Sequence, residues 1–261
     1  HCDPVAGHYL KVLMDSIFDP RRFINQVVWK RSTAHSDSAQ GSKHLGRVSD
    51  LILVYGRTES YLWNHQHAGY DESYTDSHYS RTDENGRRYR LDNLTGPGGA
   101  AKGNPSYEIF GVVRHWRYSK ERMNELIRQG RVIQTKPGGV PQYKRYLDEM
   151  PGVQIGDVWT DIPAVNSQAK ERLGYPTQKP LALLERVISA SSNPGDIVLD
   201  PFCGCGTAVH AAHKLGRKWI GIDITHLAIG LIRRRMEDAF PELKGKIPVY
   251  GEPEDVPGAE E

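Results

Sequence analysis

The amino-acid sequence predicts an α/β fold, in which a parallel or mixed β-sheet is covered by α-helices. Apolar runs of strand length alternate with amphipathic helical segments in the closing third of the chain, and a glycine-rich loop joins one of these strands to the next helix. Strands that alternate with helices pair in parallel, because each helix carries the chain back across the sheet. The 261 residues are enough for one large domain or for one domain with an inserted lobe.

The first predicted elements are a helix and two strands. The segment HYLKVLMDSIF, residues 8–18, places apolar side chains at helical spacing, and Asp19-Pro20 ends the helix. The segments INQVVWK, residues 24–30, and DLILVYG, residues 50–56, have the length and the β-branched content of strands. A long polar loop connects these two strands.

The middle of the chain carries few periodic segments. From Thr58 to Gly111 neither a helical nor a strand period is sustained, and Tyr, Asp, Asn, Gly and Arg dominate, which predicts an irregular lobe. Regular structure returns with SKERMNELIRQG, residues 119–130, where Ser119 is a candidate N-cap and Gly130 a candidate stop. The segment RVIQT that follows it predicts a strand.

The closing segments follow in the order helix, strand, glycine loop, helix, strand, helix. Their sequences are PTQKPLALLERVISASS (176–192), IVLD (197–200), LDPFCGCGTA (199–208), AVHAAHKLG (208–216), KWIGID (218–223) and HLAIGLIRRRMEDAF (226–240). A glycine loop between the carboxyl end of a strand and a helix lets a ligand approach the backbone closely, and an acid at the end of the next strand, here Asp223, binds ribose hydroxyls. This order predicts a Rossmann-like unit that binds a nucleoside.

Three alternatives compete with that prediction at the glycine loop. A metal is disfavoured, because Cys203 and Cys205 are one residue apart and lack the further cysteines or histidines of a zinc site. A dinucleotide such as NAD is the runner-up, since Val209 stands where its fingerprint needs Gly or Ala. Without any ligand, Gly204 and Gly206 would form a tight strand-to-helix turn and nothing more.

The run YPTQKPLALLERVISASSNPGDIVLDPFCGCGTA, followed by GRKWIGID, spans residues 175–223 and resembles the permuted class of amino-methylating DNA methyltransferases. It combines a TQKP segment, a DPFxGxGT loop and an acidic strand end in the order of that class, with looser similarity upstream. The resemblance implies a Rossmann-like methyltransferase fold, S-adenosylmethionine as the cofactor and double-stranded DNA as the partner. It also implies base flipping and site-specific methylation of the exocyclic amino group of adenine or cytosine, as in restriction-modification.

Nine residues match the cofactor-binding positions of this family. They are Thr177, Gln178, Lys179, Asp200, Phe202, Gly204, Gly206, Thr207 and Asp223. The resemblance implies that the TQKP residues approach the methionine end of the cofactor, that the loop wraps its methionine and adenosine parts, and that Asp223 binds the ribose. Neither a metal nor a cysteine nucleophile is needed, because the sulfonium of the cofactor already activates the methyl group.

A basic stretch is the candidate DNA-binding surface. Residues 81–150 hold 14 Lys and Arg against 8 Asp and Glu, with tyrosines and a tryptophan between them. On charge alone, a solvated polar surface is the simpler explanation. The resemblance implies instead a DNA-reading lobe, and the candidate contacts to phosphates or base edges are Lys30, Arg31, Arg87, Arg88, Arg114, Arg117, Lys144 and Arg145.

The expected organisation has four segments. The methyltransferase core begins in residues 1–57, the target-recognition lobe covers 58–160, the S-adenosylmethionine-binding half of the core covers 161–240, and an acidic tail covers 241–261. No run approaches the ~20 apolar residues that cross a bilayer, and no signal-peptide pattern opens the chain. A cytoplasmic location without membrane contact is therefore expected.

The sequence departs from the family at the catalytic motif. These enzymes carry an acidic or polar residue followed by Pro-Pro and an aromatic residue, and no such tetrapeptide occurs here. The nearest string, NPSY at residues 104–107, has Ser106 in place of the second proline and no predicted strand before it, so we interpret it as a chance match. The catalytic residues are unassigned, and we expect them upstream of His1 or on a second polypeptide. The alternatives are a cofactor- and DNA-binding module that has lost catalysis and, more weakly, an RNA methyltransferase.

Overall fold

The computed structural model describes residues 1–33 and 43–251. The strands are β1 (Phe23–Lys30), β2 (Ser49–Tyr55), β3 (His67–Ala68), β4 (Arg81–Thr82), β5 (Arg88–Asn93), β6 (Ser106–Ile109), β7 (Val112–His115), β8 (Val132–Ile133), β9 (Gln142–Tyr146), β10 (Val153–Gln154), β11 (Val158–Trp159), β12 (Ile197–Asp200) and β13 (Lys218–Gly221). The α-helices are α1 (Pro4–Phe18), α2 (Glu72–His78), α3 (Lys120–Arg128), α4 (Leu181–Ser191), α5 (Thr207–Lys214) and α6 (His226–Ala239).

The chain divides into two compact units. The first is formed by His1–Gln66 together with Ile155–Glu261, and the second by His67–Gln154. The second unit falls within residues 58–160, and the four-segment organisation stays a prediction. The predicted tail begins with a short 3-10 turn, Pro241–Leu243, while residues 252–261 lie outside the described part of the chain.

Helix α1 begins earlier than its periodic segment predicts, because Asp3 caps it. The Asp3 carboxylate accepts a hydrogen bond from the Ala6 N–H at 2.8 Å, and Pro4 occupies the first turn. Gly7 packs closely on β2, where a Cβ would lie 2.6 Å from Leu51 Cδ1. Much of the apolar surface of α1 is nevertheless exposed, at Val5, Tyr9, Val12, Leu13 and Ile17.

The sheet β11–β1–β2 forms the first layer of this unit. As predicted from the sequence, β1 and β2 are strands, and they pair antiparallel, while β11 adds to β1 in parallel. Trp29 of β1 is fully buried, and its Nε1–H donates a hydrogen bond to the Ile162 carbonyl at 2.8 Å. Val27, Ile52 and Leu183 pack around it, so this core joins the sheet to α4.

The closing elements form a parallel strand pair covered on one face by helices. Strands β12 and β13 pair in parallel, with Ile197 opposite Lys218, and helix α5 connects them. Val198 and Trp219 pack with buried side chains of α4 and α5, which include Ile188 and Ala211. The predicted order of helix, strand, glycine loop, helix, strand and helix is confirmed, and with it the α/β class.

The other face of the β12–β13 pair is open. Ile197, Leu199, Ile220 and Ile222, which we call the bare face, are between 51% and 65% exposed. Within residues 1–33 and 43–251, β12 pairs only with β13, so its outer edge carries no strand and the first unit contains two separate sheets. Contiguous apolar surface of this kind marks an interaction face.

The second unit contains antiparallel strands around an aromatic and aliphatic core. Strands β4–β5–β9–β8 form one sheet, β6–β7 a hairpin and β3–β10 a short pair. Helix α3 begins at the predicted cap, where Ser119 Oγ accepts the Arg122 N–H at 3.3 Å, and it buries Met123 beside Trp116. This unit is more regular than its sequence predicts, because strands of 2 to 6 residues are too short to show a clear period.

No helix among the residues that the structure describes is both long enough and apolar enough to span a membrane.

Candidate functional site

The glycine loop, residues 201–206, connects the carboxyl end of β12 to the first turn of α5. The Cys203 N–H donates to the Ile222 carbonyl at 3.0 Å, which ties the loop to the end of β13. The Gly206 N–H donates to the Cys203 carbonyl at 2.7 Å, which closes the loop on itself. Gly204 and Gly206 have φ angles of 49° and 74° in the left-handed region, where glycine avoids the strain that a side chain would cause.

Packing adds a second reason for glycine at both positions. A Cβ at Gly204 would lie 3.0 Å from Tyr175 Cε1, and a Cβ at Gly206 would lie 2.8 Å from Ile232 Cγ1 of α6. The first distance is tighter than ordinary carbon contacts and the second is not tolerated without a shift. The loop backbone therefore approaches its neighbours more closely than any residue with a side chain would allow.

Asp223 follows β13 and holds the loop from the side of the neighbouring strand. Its Oδ2 accepts the Gly204 N–H at 2.9 Å, and its Oδ1 accepts the Thr225 N–H at 3.0 Å and the Thr225 hydroxyl at 2.9 Å. Burial raises the pKa of Asp223, but these hydrogen bonds outweigh it, so the pKa lies below its ordinary value. The carboxylate is charged at neutral pH, and its remaining lone pairs can accept ligand hydroxyls.

Two apolar side chains beside this acid are directed to solvent. Phe202 in the loop is 88% exposed, and Ile224, directly after Asp223, is fully exposed. Exposed apolar side chains on the loop and next to the acid are available to a flat heterocycle joined to a sugar. Sequence reasoning identified Phe202 and missed Ile224, whose signal would have been its position next to the acid.

A buried arginine supports the loop from α6. Arg235 is 7% exposed, and its Nη1 donates to Thr207 Oγ1 at 2.9 Å and to the Cys205 carbonyl at 3.3 Å. Its Nε donates to His210 Nδ1 at 3.2 Å, and no carboxylate among the described residues forms an ion pair with it. Burial lowers the pKa of the Arg235 guanidinium, which still keeps its charge. Sequence reasoning missed this residue, because nothing local distinguishes it from Arg233 and Arg234.

The TQKP segment lies beside the glycine loop through Tyr175, the residue that packs on Gly204. Gln178 braces the segment: its side-chain amide donates to the Glu171 carbonyl at 2.6 Å, and its N–H donates to the Tyr175 carbonyl at 3.1 Å. Lys179 is half-buried, with its Nζ 3.3 Å from the carbonyl of the exposed Thr177. The structure thus places the segment near the loop, and its contact with a cofactor stays a prediction.

The two loop cysteines are buried and are not joined in a disulfide. Burial, and then the charges of Asp200 and Asp223, raise the pKa of the Cys203 thiol to about 11, so this thiol is protonated at neutral pH. A Cβ added at Gly221 would lie 3.0 Å from Cys203 Sγ. A side chain larger than cysteine at position 203 would therefore press on the Gly221 backbone. No group of three or more His, Cys, Asp or Glu side chains in the described ranges is arranged to hold a metal ion.

Comparison with known proteins assigns the family. A family model described as DNA methylase, for N6 and N4 methylation, matches residues 1–233. The chain belongs to the DNA methylase family. The type II methyltransferase M.EcaI of Enterobacter cloacae is 33% identical over 229 residues, which cover 87% of this chain and 50% of that protein.

Two further similarities are more limited. The DNA adenine methyltransferase YhdJ of Escherichia coli K12 is 52% identical over 84 residues, covering 32% of this chain and 28% of that protein. The crystal structure of an M1.HpyAVI–SAM complex matches 90% of this chain and 71% of the other at 16% identity, with a TM-score of 0.45. The chain spans about half the length of M.EcaI.

Half of the predicted DNA-binding side chains are paired with carboxylates. The pairs are Arg31 with Asp50, Arg87 with Asp148 and Glu149, Arg88 with Asp76, and Arg145 with Asp92. Hydrogen bonds to Asp148 and Glu149 raise the pKa of Arg87, which shows how closely its charge is compensated. An arginine that is already neutralised gains less from a phosphate than a free one.

The other four predicted DNA contacts are not neutralised by carboxylates among the described residues, so their charges are available to a polyanion. Lys30, Arg114 and Arg117 are exposed, and Lys144 lies with its Nζ 5.3 Å from the centre of the Tyr89 ring. In the part of the chain that the structure describes, none of these four side chains forms an ion pair with a carboxylate. Their contact with DNA stays a prediction. That prediction now rests on four residues, fewer than the eight that the sequence indicates.

The NPSY string belongs to a loop and a hairpin of the second unit. Asn104 Nδ2 donates to the Pro97 carbonyl at 3.1 Å and to the Gly99 carbonyl at 3.0 Å, and Ser106 opens strand β6. Asn104 therefore precedes a strand, whereas a polar group presented at the carboxyl end of a strand would follow one. Asn104 acts as a brace of the loop that it closes.

Mild acid is expected to destabilise the first unit through His210. Its Nδ1 accepts a hydrogen bond from Arg235, and burial, followed by the charges of Arg235 and Lys214, lowers the pKa of His210 to about 4. The unfolded chain takes up this proton near pH 6.5 and the folded chain only near pH 4, so stability falls as the pH drops between these values. If the unfolded chain bound one full proton more than the folded chain, the unfolding free energy would fall by about 1.4 kcal/mol per pH unit. We expect a smaller slope, because the His210 ring is only half-buried.

Urea unfolding between pH 7.5 and pH 4 measures this effect. His210→Gln should flatten the pH dependence of the unfolding free energy, while the control His226→Gln, at the exposed start of α6, should keep the wild-type slope. Equal slopes for wild type and His210→Gln would contradict the assignment.

Proposed function

We propose that this chain is the cofactor-binding and DNA-binding part of an S-adenosylmethionine-dependent DNA methyltransferase. The reaction would transfer a methyl group to the exocyclic amino nitrogen of adenine or cytosine at a specific DNA site, as in restriction-modification. The observation that carries the proposal is the hydrogen bond between the Asp223 carboxylate and the Gly204 N–H, which places an acid and an open glycine loop side by side. Family membership over residues 1–233 supports the same function.

The residues around the loop fit this cofactor. Asp223 keeps acceptor capacity for the ribose hydroxyls, and the exposed Phe202 and Ile224 offer apolar surface for the adenine. The buried charge of Arg235 raises the local positive potential, and Lys179 is a candidate for the carboxylate of the methionine part. These features favour a charged nucleoside over NAD, whose fingerprint the loop lacks at Val209.

The chemistry asks little of the protein beyond alignment. When bound, the cofactor supplies a methyl group that its sulfonium has already activated. The residues of the glycine loop would hold that group in place, so that an amino nitrogen approaches in line with the methyl carbon and the sulfur. The protonated thiol of Cys203 is consistent with a mechanism that needs no cysteine nucleophile.

DNA would bind through the free cations of the second unit. Arg114 and Arg117 are exposed and uncompensated among the described residues, and Lys144 adds a third charge beside Tyr89. The amino group of a paired base lies inside the duplex, so the base must leave the stack at a cost of a few kcal/mol. Contacts that hold the flanking phosphates offset part of this cost.

A further polypeptide segment would complete the enzyme. The bare face and the open edge of β12 are a surface on which another strand and its covering helix would pack, and the exposed apolar residues of α1 offer a second one. The tetrapeptide that grips the flipped base in this family is missing from residues 1–261. We therefore propose that the tetrapeptide lies on a segment upstream in a longer protein or on a partner chain. The proposed location of the activity is the cytoplasm.

Cofactor binding is expected to depend on the Asp223 carboxylate. Asp223→Asn keeps one acceptor for the loop but removes the charge and half of the acceptor capacity, so S-adenosylmethionine affinity should fall by about 1–3 kcal/mol. Isothermal titration calorimetry of the purified chain measures the change. The matched control is Asp238→Asn, an exposed carboxylate on α6, which should leave the affinity unchanged. Unchanged affinity in Asp223→Asn, or tighter binding of NAD than of S-adenosylmethionine by the wild type, would contradict the proposal.

DNA binding is expected to distinguish free arginines from paired ones. Arg114→Gln with Arg117→Gln should weaken duplex binding and reduce the slope of log K against log salt by about one unit for each lost phosphate contact. The comparison variant Arg87→Gln with Arg88→Gln removes arginines that are already paired with carboxylates, and its slope should stay close to wild type. Fluorescence anisotropy across a salt series provides both slopes. If the two double variants lose the same slope, the basic stretch acts as a diffuse charged surface.

A further inference from the structure

The hairpin β6–β7 of the second unit ends in an unusual turn. Ile109 pairs with Val112, so Phe110 and Gly111 are its two central residues. Their φ angles are 47° and 79°, which places both residues in the left-handed region. Two-residue turns of this type favour Asn-Gly, because only small or locally hydrogen-bonding residues adopt the first position readily. A bulky phenylalanine there is a backbone outlier.

Burial does not compensate for this conformation. The Phe110 side chain is 45% exposed, whereas Ile109 beside it is 5% exposed and packs in the core of the unit. Asparagine at position 110 would adopt the same backbone angles with less strain. The stability of the fold therefore does not explain a phenylalanine at position 110. An interaction of its ring with a partner would explain it.

The turn is fixed on a rigid base. The Gln134 side-chain amide donates to the Phe110 carbonyl at 3.2 Å and to the Gly139 carbonyl at 2.7 Å, so the neighbouring loop holds the tip. At the other end of the hairpin, buried Trp116 donates its Nε1–H to the Tyr107 carbonyl at 2.7 Å. A ring carried on such a base loses little conformational freedom when it enters a partner.

Two exposed cations belong to the segments that carry the tip. Arg114 lies on β7, and Lys136 lies on the loop that Gln134 joins to the tip; both are exposed, and neither forms an ion pair within residues 1–33 and 43–251. Glu108 is the acidic residue of the hairpin. An exposed aromatic ring on a hairpin that carries one exposed cation, with a second on the loop bonded to it, is a combination that binds a polyanion with stackable faces.

We propose that Phe110 is an aromatic wedge that enters the DNA duplex and stacks in the space opened when a base leaves it. The inference rests on the proposed function, since it requires DNA as the substrate, and it adds a residue that positions the DNA. Apolar side chains inserted between base steps offset the loss of stacking, and the two cations would contact the phosphates on either side. The strain at Phe110 is then a feature retained for binding.

The experiment compares two duplexes that differ at one position. One is an intact 30-base-pair duplex of mixed sequence, and the other carries a single central abasic site, which leaves a ready space for a ring. Fluorescence anisotropy with the full chain should show about tenfold tighter binding of the abasic duplex, as expected for one aromatic stacking contact. Phe110→Asn should lose this preference, so that its affinities for the abasic and the intact duplex differ by less than about twofold.

A matched control and a stability measurement complete the test. Val113→Asn alters another exposed apolar side chain of the same hairpin and should keep the preference for the abasic duplex. Phe110→Asn should also raise the melting temperature by roughly 2 to 4 °C, because it relieves the turn. Binding of both duplexes with equal affinity by the wild type, or an undiminished preference in Phe110→Asn, would overturn the wedge and leave the proposed function standing. Failure of the wild type to bind either duplex would overturn both, and would favour a protein partner for the ring.

Discussion

The hydrogen bond from the Gly204 N–H to the Asp223 carboxylate joins the ends of two neighbouring strands, and the candidate site depends on it. The left-handed conformation of Gly204 aims that N–H at the acid, and Thr225 fixes the acid from the other side. Two glycines admit the close approach of Tyr175 and Ile232, so the TQKP segment and α6 are positioned by the same loop. A change at any of these contacts would move the acid and the loop together.

The same pair of strands carries an uncovered apolar surface. Helices α4 and α5 cover one face of β12–β13, while the bare face and the outer edge of β12 have no cover within the described ranges. A catalytic group for the flipped base would have to stand at the carboxyl end of a strand near the glycine loop. The open edge next to β12 offers that position to the further segment that we propose, beside an exposed apolar surface.

Local patterns made much of this fold predictable. The helix cap at Ser119, strands β1 and β2, and the order from α4 to α6 all follow from signals within a few residues. Long-range pairing was beyond such signals: Arg87 meets Asp148, and Arg145 meets Asp92, across more than fifty residues of sequence. The sequence also does not predict that Leu13 and Ile17 are exposed, because a periodic stripe indicates an apolar face without indicating what covers it. The role of Arg235 depends on its burial and its hydrogen bonds to the loop, which its sequence neighbours do not indicate.

The most direct test of the account is amide hydrogen exchange with and without S-adenosylmethionine. Saturating cofactor should slow exchange in peptides that cover residues 200–207 and 221–226, because a ligand seated on the loop and on Asp223 restrains both. Strands β5 and β9 of the second unit should exchange at unchanged rates, and NAD at the same concentration should protect neither segment. Protection that appears elsewhere while residues 200–207 remain unprotected would contradict the account.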